Sequence, residues 1–410
     1  MSRPLIAALI VSLTLPWVAV VFVLLRFTPA PPPSVESTAI TPSPSVTDAL
    51  KPEFVATGRW GQLEMNRIII EPPDDLITVN AQPVTHIDWH FPGYSDLALQ
   101  DLWTRAKLSP DQANFLTNPD NWSRQSTGIS IGVPKTIIMG LSHESRQIVY
   151  AALSRHDTNR GQWAPASFRA ESAADWFADS ELTEDTINIV QPLLYRRGDC
   201  LLFSDYSLIL ADLKTQRQRL QLTRALARST SQLVKLRIMP DTNMENLVEY
   251  WSLGQKRREI EPLLKSLPRP PGGFTLDLIH LLPPVARRLL YTYASPPARD
   301  EATFRDCHWT SLNFANAEID DRYRDIEEVV NAYQQDYRPV TDAPRLGDIY
   351  LFVTRGDVVL HSCVHIAGDL VFTKNGSWAA APFILMRLPD VISLYPTDEE
   401  IEIQHLRRRE

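Results

Sequence analysis

Cysteine and glycine are scarce in this chain of 410 residues, whereas proline is abundant. The three cysteines, Cys200, Cys307 and Cys363, cannot form a disulfide framework, and 15 glycines against 32 prolines exclude a collagen-like chain. An odd and sparse set of cysteines instead raises the question of whether one of them is a reactive thiol.

An excess of basic residues is lacking as well. The chain has 41 Lys and Arg against 49 Asp and Glu, which gives a formal net charge of −8. Proteins that bind nucleic acid take much of their affinity from clustered Lys and Arg side chains that neutralise phosphates, so we expect no nucleic-acid partner. A composition of 44% hydrophobic and 22% charged residues predicts one to three packed domains.

A run without charged residues, from Leu5 to Leu25, lies near the start of the sequence. It is long enough for a helix to cross a hydrocarbon core about 30 Å thick, and it predicts a transmembrane helix within residues 1–27, with a cleaved signal peptide as the alternative. We then expect a single-pass membrane protein whose C-terminal bulk faces the periplasm or the extracellular side, although the flanking charges are too few to fix this topology. Residues 28–57 are rich in Pro and Ser and predict an extended linker.

Residues 58–268 have the composition of a globular domain, and we predict a mixed α/β middle domain whose role the sequence does not indicate. Ser109 and Pro110 predict a helix start there, because serine caps helices and proline fits the first turn. Cys200 lies in an apolar, strand-like run, which predicts a buried thiol.

Prolines and glycines at residues 268–273 mark a further boundary. We predict a second globular module at 269–400, followed by a charged C-terminal tail at 401–410. Within that module Cys307 directly precedes a sequence that can form a helix. Unpaired N–H groups and the helix dipole favour the thiolate over the thiol at such a position, which makes Cys307 a candidate nucleophile.

An antiparallel meander is predicted after this helix. Its turns contain glycine, and its strands are predicted at Asp348 to Thr354, Val358 to Ile366 and Leu370 to Lys374. Alternation along the second strand places one set of side chains on a single face: Val359, His361, Cys363 and His365.

Three interpretations of that face remain open on spacing alone. In a cysteine hydrolase, His361 would act as the base for Cys307. In a metal site, His361, Cys363 and His365 would bind a cation such as zinc together. In the third interpretation the histidines are ordinary hydrogen-bonded residues of a sheet.

The sequence resembles the NlpC family of cell-wall cysteine peptidases at these residues. Asp306-Cys307-His308 resembles the family's Asp-Cys-Ser signature, and Leu346-Gly347-Asp348-Ile349 resembles its Pro-Gly-Asp-Leu strand start. His361 to Ala367 (HSCVHIA) resembles its His-Val-Gly-Ile-Tyr-Leu-Gly strand. The resemblance implies a papain-like, permuted module in which the helix with the nucleophile packs on an antiparallel sheet.

The resemblance also implies roles for individual residues. Cys307 is implied as the nucleophile and His361 as the base. The third residue, which orients the imidazole, is implied on the next strand as Asn375, which we prefer, or Thr373. Tyr293 is implied as the tyrosine that assists the oxyanion site, with Tyr291 as the alternative. No cofactor and no metal are implied.

The chain departs from the family pattern around the nucleophile. The resemblance covers residues from about 283 to 395, and Trp309 stands where the family has a small residue. Ala294-Ser295-Pro296 replaces the paired glycines that usually follow the upstream tyrosine. Cys363 occupies a position where the family has glycine, and a redox coupling between Cys363 and Cys307 is a further hypothesis.

The sequence therefore predicts an α+β protein with three parts: an N-terminal transmembrane helix, a mixed α/β middle domain and a papain-like module. The expected function is that of a membrane-anchored cell-envelope cysteine hydrolase that cleaves an amide bond in peptidoglycan peptides. Two alternatives stay open: a non-catalytic envelope binding or scaffold protein with a degenerate module, and a lipid amide or ester hydrolase or acyltransferase. The sequence indicates no particular protein partner.

Overall fold

The computed structural model describes the residues 52–79, 81–168, 173–198, 200–252, 257–294, 305–395 and 400–409, together with the backbone of two short strands nearer the N-terminus. The chain divides into two compact units. The first comprises residues 1–70 and 229–410, and the second comprises residues 71–228.

The strands are numbered in chain order. They are β1 (Ala8–Ile10), β2 (Val20–Val23), β3 (Glu53–Gly58), β4 (Gly61–Ile70), β5 (His86–Pro92), β6 (Trp122–Gln125), β7 (Gly128–Pro134), β8 (Ala166–Phe168), β9 (Tyr195–Arg197), β10 (Cys200–Phe203), β11 (Ser229–Ile238), β12 (Phe274–Asp277), β13 (Tyr337–Pro339), β14 (Ile349–Thr354), β15 (Val358–Ala367), β16 (Leu370–Lys374), β17 (Phe383–Arg387) and β18 (Ile401–Arg408).

The α-helices are numbered in the same way. They are α1 (Asp96–Arg105), α2 (Pro110–Leu116), α3 (Lys135–Met139), α4 (His143–Leu153), α5 (Arg160–Trp163), α6 (Ala173–Phe177), α7 (Glu184–Val190), α8 (Tyr206–Leu210), α9 (Gln216–Leu226), α10 (Met244–Trp251), α11 (Arg257–Ser266), α12 (Pro284–Leu289), α13 (Cys307–Asn313), α14 (Ile326–Asp336) and α15 (Leu388–Ser393).

The second unit contains two antiparallel sheets of three strands, ordered β5-β7-β6 and β8-β10-β9, with α1 to α9. Helix α2 begins at Pro110, where the Ser109 hydroxyl accepts a hydrogen bond from Gln112 N, so this predicted helix start is confirmed. Cys200 is fully buried in β10, as predicted.

The first unit contains a four-stranded sheet, ordered β12-β11-β4-β3, and a larger sheet whose main path is β1-β2-β15-β14-β18-β13. Strand β16 pairs with β15 and with β17. The predicted meander is thus present as β14, β15 and β16, with ends that agree with the predicted ones within one residue.

Both faces of the meander are buried. Helix α13 packs on one face, where Phe314 and Phe372 lie in ring contact within the main hydrophobic core. The other face packs against a smaller cluster that includes Phe352, Cys363 and Val391 of α15. Burial on both faces explains why β14 up to Val353 and the first three residues of β16 are apolar.

The predicted fold class is wrong in its transmembrane helix. The described chain is a mixed α and β structure with several antiparallel sheets, and none of its described helices is long and apolar enough to cross a membrane. Strands β1 and β2 lie inside the run from Leu5 to Leu25 and pair antiparallel, with Ala8 opposite Val23. Isoleucine and valine recur in this run and favour extended backbone, and Pro16 between the two strands is unfavourable inside a helix.

The two units also differ from the predicted domains. Strands β4 and β11 fall within the predicted middle domain of residues 58–268, yet they pair with each other and belong to the first unit. Most of the predicted Pro/Ser-rich linker, 28–57, lies outside the described residues. The predicted charged tail, 401–410, instead provides strand β18, because its apolar and charged residues alternate and its His405 and Arg407 bind Asp348.

Candidate active site

Cys307 is the first residue of α13, as the sequence predicts. Asp306 caps this helix, because its carboxylate accepts a hydrogen bond of 2.9 Å from Trp309 N. The Cys307 side chain is only 3% exposed. Cys307 therefore lies beside the unpaired backbone N–H groups of the first turn of α13.

Helix α13 is fixed on the sheet by contacts to β15 and β16. The hydroxyl of Ser362 donates to the hydroxyl of Ser311 over 3.0 Å, and the rings of Phe314 and Phe372 lie 5.6 Å apart. These contacts hold α13 on the face of β15 that carries Ser362, whereas His361 and Cys363 point to the opposite face.

His361 is held at one nitrogen of its ring. Nε2 lies 2.9 Å from the Thr373 hydroxyl, and that hydroxyl donates over 3.5 Å to Oδ1 of Asn375. A hydroxyl has one proton, so a Thr373 proton directed at Asn375 leaves the oxygen lone pairs for an N–H at Nε2. Nδ1 of His361 is then the unprotonated, basic nitrogen.

The preferred assignment implies a direct contact between Asn375 and His361. In the structure the Thr373 hydroxyl lies between them. Its own Nδ2 lies 3.3 Å from Sδ of Met386. The structure brings His361 into contact with Thr373, the alternative, while Asn375 lies behind it and orients its hydroxyl. The sequence could not separate these two residues because both lie on the same face two positions apart.

Nδ1 of His361 is buried and has no hydrogen-bond partner. The ring around it is enclosed, since Tyr395 stacks on it at 4.5 Å between centroids and Phe352 meets it edge-on at 5.3 Å. Native proteins rarely leave such an atom unpaired, because its desolvation costs about 1–3 kcal/mol. Nε2 of His308, the residue after Cys307, is likewise buried without a partner.

Cys307 affects the pKa of two residues that flank His361. Burial raises the pKa of Cys363 and of Tyr395, and the proximity of Cys307 raises each of them further. Cys363 is two residues from His361 on the same face, and Tyr395 stacks on its ring. No hydrogen bond joins the Cys307 thiol to Nδ1 of His361, which points to the face of β15 opposite to α13.

His365, the second histidine on this face, has a hydrogen-bond partner at each ring nitrogen. Its Nδ1 lies 3.2 Å from the Tyr350 hydroxyl and its Nε2 lies 3.3 Å from the Tyr250 hydroxyl. Burial lowers the pKa of His365 to about 4, so the ring is neutral at pH 7. Among the described residues, no group of three or more His, Cys, Asp or Glu side chains is arranged to hold a metal ion.

The two candidate tyrosines lie on the segment that follows α12. Tyr293 forms an isolated β-bridge with Pro382, just before β17. Tyr291 is committed elsewhere, because its hydroxyl donates to the Gln232 carbonyl over 2.6 Å. A role for Tyr293 at an oxyanion stays a prediction.

The sequence does not indicate a particular position for Lys374. It is fully buried at the end of β16, and its Nζ donates to the carbonyls of Gly376 at 2.9 Å and Trp378 at 2.7 Å. Burial lowers its pKa to about 7, against the opposing effects of Asp306 and Cys307. A lysine at the end of an apolar strand ordinarily faces solvent, so no sequence signal distinguishes this one.

The sequence indicates Asp348 only as part of the start of a strand. Its carboxylate accepts two hydrogen bonds from Arg407, at 2.9 and 2.8 Å, and one of 2.7 Å from Nε2 of His405. Burial acts to raise the pKa of Asp348, but these hydrogen bonds and one from Arg345 N hold it below its usual value. The group fastens β18 to the start of β14.

A cavity of about 560 Å³ opens on the described surface, and none of the predicted site residues lines it. Its lining residues are charged, and they are Asp321, Arg322, Arg324, Asp325 and Glu328.

Comparisons of the chain with protein-family models, with curated proteins and with solved structures gave no match.

Proposed function

We propose that the protein is a cysteine amidase or peptidase in which Cys307 attacks an amide carbonyl and His361 transfers the proton. The observation that carries the proposal is Nδ1 of His361, a buried nitrogen without a partner on a ring that Thr373 holds at the other nitrogen. A proton-transfer role accounts for an acceptor that is left open.

The chemistry follows from the residues of the site. The thiol proton of Cys307 passes to Nδ1 of His361, and the thiolate adds to the carbonyl carbon. The imidazolium then protonates the leaving amine, and the C–N bond breaks to give a thioester. Water loses a proton to Nδ1 as its oxygen attacks the thioester, which releases the acid and restores Cys307 with its proton.

The substrate class and the location of the enzyme are proposals as well. The resemblance to NlpC peptidases supports an amide bond in peptidoglycan peptides as the substrate. A location at the membrane of the cell envelope is supported by the apolar composition of residues 5–25.

A second candidate is a non-catalytic envelope protein with a degenerate site. Two observations favour it: the burial of the site, and the direction of His361, which points to the face of β15 opposite to the one on which α13 packs. Cys307 is 3% exposed and His361 is 0% exposed. The Tyr395 ring covers the imidazole, so an amide substrate reaches Nδ1 only after side chains move. The two candidates differ in whether the thiol turns over a substrate.

Digestion of purified peptidoglycan by the full-length protein tests the proposal. We expect mass spectrometry to show shorter peptides with new amino termini, which Cys307→Ala does not produce. Cys200→Ala is the matched control, because Cys200 is a buried thiol in the other unit and should leave cleavage unchanged.

Identical fragments from the wild type and Cys307→Ala would refute cleavage by this thiol. An absence of fragments, together with sedimentation of the wild type with peptidoglycan, would favour the non-catalytic candidate. Cleavage of a lipid amide or ester, but not of peptidoglycan, would keep the Cys307 mechanism and replace the substrate.

A further inference from the structure

His361 carries a positive charge during one part of the proposed reaction, yet its surroundings exclude water. Its side chain is 0% exposed, and Nδ1, the nitrogen that takes the proton, is buried. A charge in such a place is costly unless a neighbouring group compensates for the lost water. The groups that contact the ring therefore decide how readily the imidazolium forms.

No acidic side chain among the described residues pairs with this imidazole. Within the described part of the chain its ring makes one hydrogen bond, in which Nε2 lies 2.9 Å from the uncharged hydroxyl of Thr373. His405 provides the contrast, because its Nε2 lies 2.7 Å from the carboxylate of Asp348. The compensation that a carboxylate offers to His405 has to come from another kind of group at His361.

The ring of Tyr395 lies nearly face to face with this imidazole. The two ring centroids are 4.5 Å apart, and the ring planes are inclined by 26°. The face of an aromatic ring is electron-rich, and it attracts a cation that lies within about 6 Å of the ring centroid. The attraction is stronger where water is excluded, as it is around His361. The geometry therefore suits a cation–π interaction once the imidazole takes a proton.

The stack is in place before any proton moves. The backbone N–H of Tyr395 donates to the carbonyl of Ile392 in α15 over 3.0 Å, and its ring meets that of Phe352 edge-on at 6.1 Å. Phe352 in turn meets the ring of His361 at 5.3 Å. Apolar side chains of α15 and β18 belong to the same cluster, among them Val391, Ile401 and Ile403.

The other titratable groups near the stack do not take this role. Burial raises the pKa of Cys363, so its thiol is neutral near pH 7, and burial likewise raises the pKa of Tyr395, so its ring is a neutral phenol. The proximity of Asp306 and Cys307 also raises the pKa of Tyr395. Asp306 is engaged as the N-cap of α13, and within the described chain neither residue forms a hydrogen bond or an ion pair with His361.

We propose that Tyr395 stabilises the imidazolium of His361 through a cation–π interaction. The proton reaches Nδ1 from the thiol of Cys307 and leaves it for the departing amine, and no bond to Tyr395 forms or breaks. Tyr395 thus acts through His361 as a positioning residue. The inference rests on the proposed role of His361 in proton transfer, and it adds the group that offsets the charge of the imidazolium.

NMR of the full-length protein with ¹⁵N-labelled histidine tests the stack, because the ring nitrogens of charged and neutral imidazoles differ in chemical shift. The signals of His361 are identified by their loss in His361→Gln. Tyr395→Leu keeps an apolar cover but removes the aromatic face. At a common pH we expect this variant to lower the ratio of charged to neutral His361 by about three- to thirtyfold. Tyr395→Phe keeps the ring and should stay within about twofold of the wild type.

Tyr94→Leu is the matched control, because Tyr94 is a tyrosine of the other unit in ring contact with Phe91, and it should leave the ratio unchanged. The signals of His365 report whether the sheet stays folded, since both of its ring nitrogens have partners. An unchanged or higher ratio in Tyr395→Leu would mean that Tyr395 only excludes water, and it would overturn the proposal. An equal fall in Tyr395→Phe and Tyr395→Leu would overturn it as well, because the hydroxyl would then cause the effect.

A second series covers the case in which Tyr395→Leu does not fold. Phenylalanine analogues with one, two or three fluorine atoms on the ring are placed at position 395. Fluorine withdraws electrons from the face of the ring while the ring keeps nearly the same shape, so the ratio of charged to neutral His361 should fall with each added fluorine. A constant ratio along the series would contradict the proposal without any activity assay.

These readouts separate the role of Tyr395 from the proposed function. A ratio that falls along the fluorine series, with no cleavage of peptidoglycan, would sustain the cation–π interaction and count against the amidase. Cleavage that depends on Cys307, with a constant ratio, would sustain the amidase and remove Tyr395 from its mechanism.

Discussion

Two histidines on one face of β15, four residues apart, have opposite surroundings. His365 has a tyrosine hydroxyl at each ring nitrogen, and burial lowers its pKa to about 4. His361 has Thr373 at one nitrogen and no partner at the other. The residue type, the strand and the face are the same, so the hydrogen-bond partners alone distinguish the two imidazoles.

The groups beyond each ring extend this contrast. Next to His365, Asp348 binds His405 and Arg407 and closes a network that holds two strands together. Around His361 the hydrogen bonds run from Asn375 to Thr373 and on to Nε2, and Nδ1 has no partner. The two imidazoles therefore differ in whether both ring nitrogens have hydrogen-bond partners, and not in the number of polar atoms.

The largest expected effect is on catalysis by the open histidine. His361→Ala should lower kcat/KM for amide cleavage by about 10²–10⁴-fold, because the proton acceptor and donor is removed. His365→Gln should retain most of the activity at pH 7. Steady-state kinetics of both variants test the contrast, and equal losses would show that the two histidines are not functionally distinct.

The next effect is on stability and arises from the saturated histidine. Its folded pKa of about 4 is below the unfolded value near 6.5, so the unfolded state binds the proton first as the pH falls. Neutral His365 therefore contributes roughly 3 kcal/mol to the free energy of unfolding above pH 6.5, and this contribution is lost as the pH falls to 4. Amide hydrogen exchange across β15, corrected for intrinsic rates, measures the loss.

His365→Gln provides the control for this pH dependence. Glutamine does not titrate, so exchange protection of β15 should change less between pH 6.5 and 4 in the variant. Parallel profiles for the variant and the wild type would mean that other groups cause the acid sensitivity.

A smaller effect is expected at Thr373. Thr373→Val keeps the shape but removes the hydroxyl that holds Nε2, and the loss of one hydrogen bond of about 0.5–1.5 kcal/mol lowers kcat/KM by up to about tenfold. Thr373→Ser keeps the hydroxyl and should stay within about twofold of the wild type. A Thr373→Val enzyme with full activity would show that His361 needs no orienting partner.

The smallest effect is expected at Asn375, which acts on His361 only through a 3.5 Å contact to Thr373. Asn375→Ala should lower kcat/KM by about two- to threefold, the equivalent of a weak hydrogen bond. A larger loss in Asn375→Ala than in Thr373→Val would reverse the order and restore Asn375 as the orienting residue.

Local patterns in the sequence were sufficient for the meander and the helix start. Alternating residues and glycine turns located β14, β15 and β16, and they placed His361, Cys363 and His365 on one face. A sequence able to form a helix from His308 onward placed Cys307 at the start of α13. These features depend on neighbours in the chain, which a sequence displays directly.

Features that depend on distant partners were not predictable. The buried Nζ of Lys374 donates to carbonyls of the loop that follows β16, and the cover over His361 comes from Tyr395. The prediction of a transmembrane helix depends on the length of the apolar N-terminal run alone. Length does not distinguish a spanning helix from two short strands rich in valine and isoleucine.

The hydrogen bonds between Asp348 and β18 can form only late in the synthesis of the chain. Strand β14 pairs with β15 on one edge and with β18 on the other, and β18 follows it in the chain by more than forty residues. While the ribosome is still adding those residues, β14 has an open, apolar edge and the Asp348 carboxylate lacks Arg407. The nascent chain must keep that edge from pairing with other chains until β18 emerges.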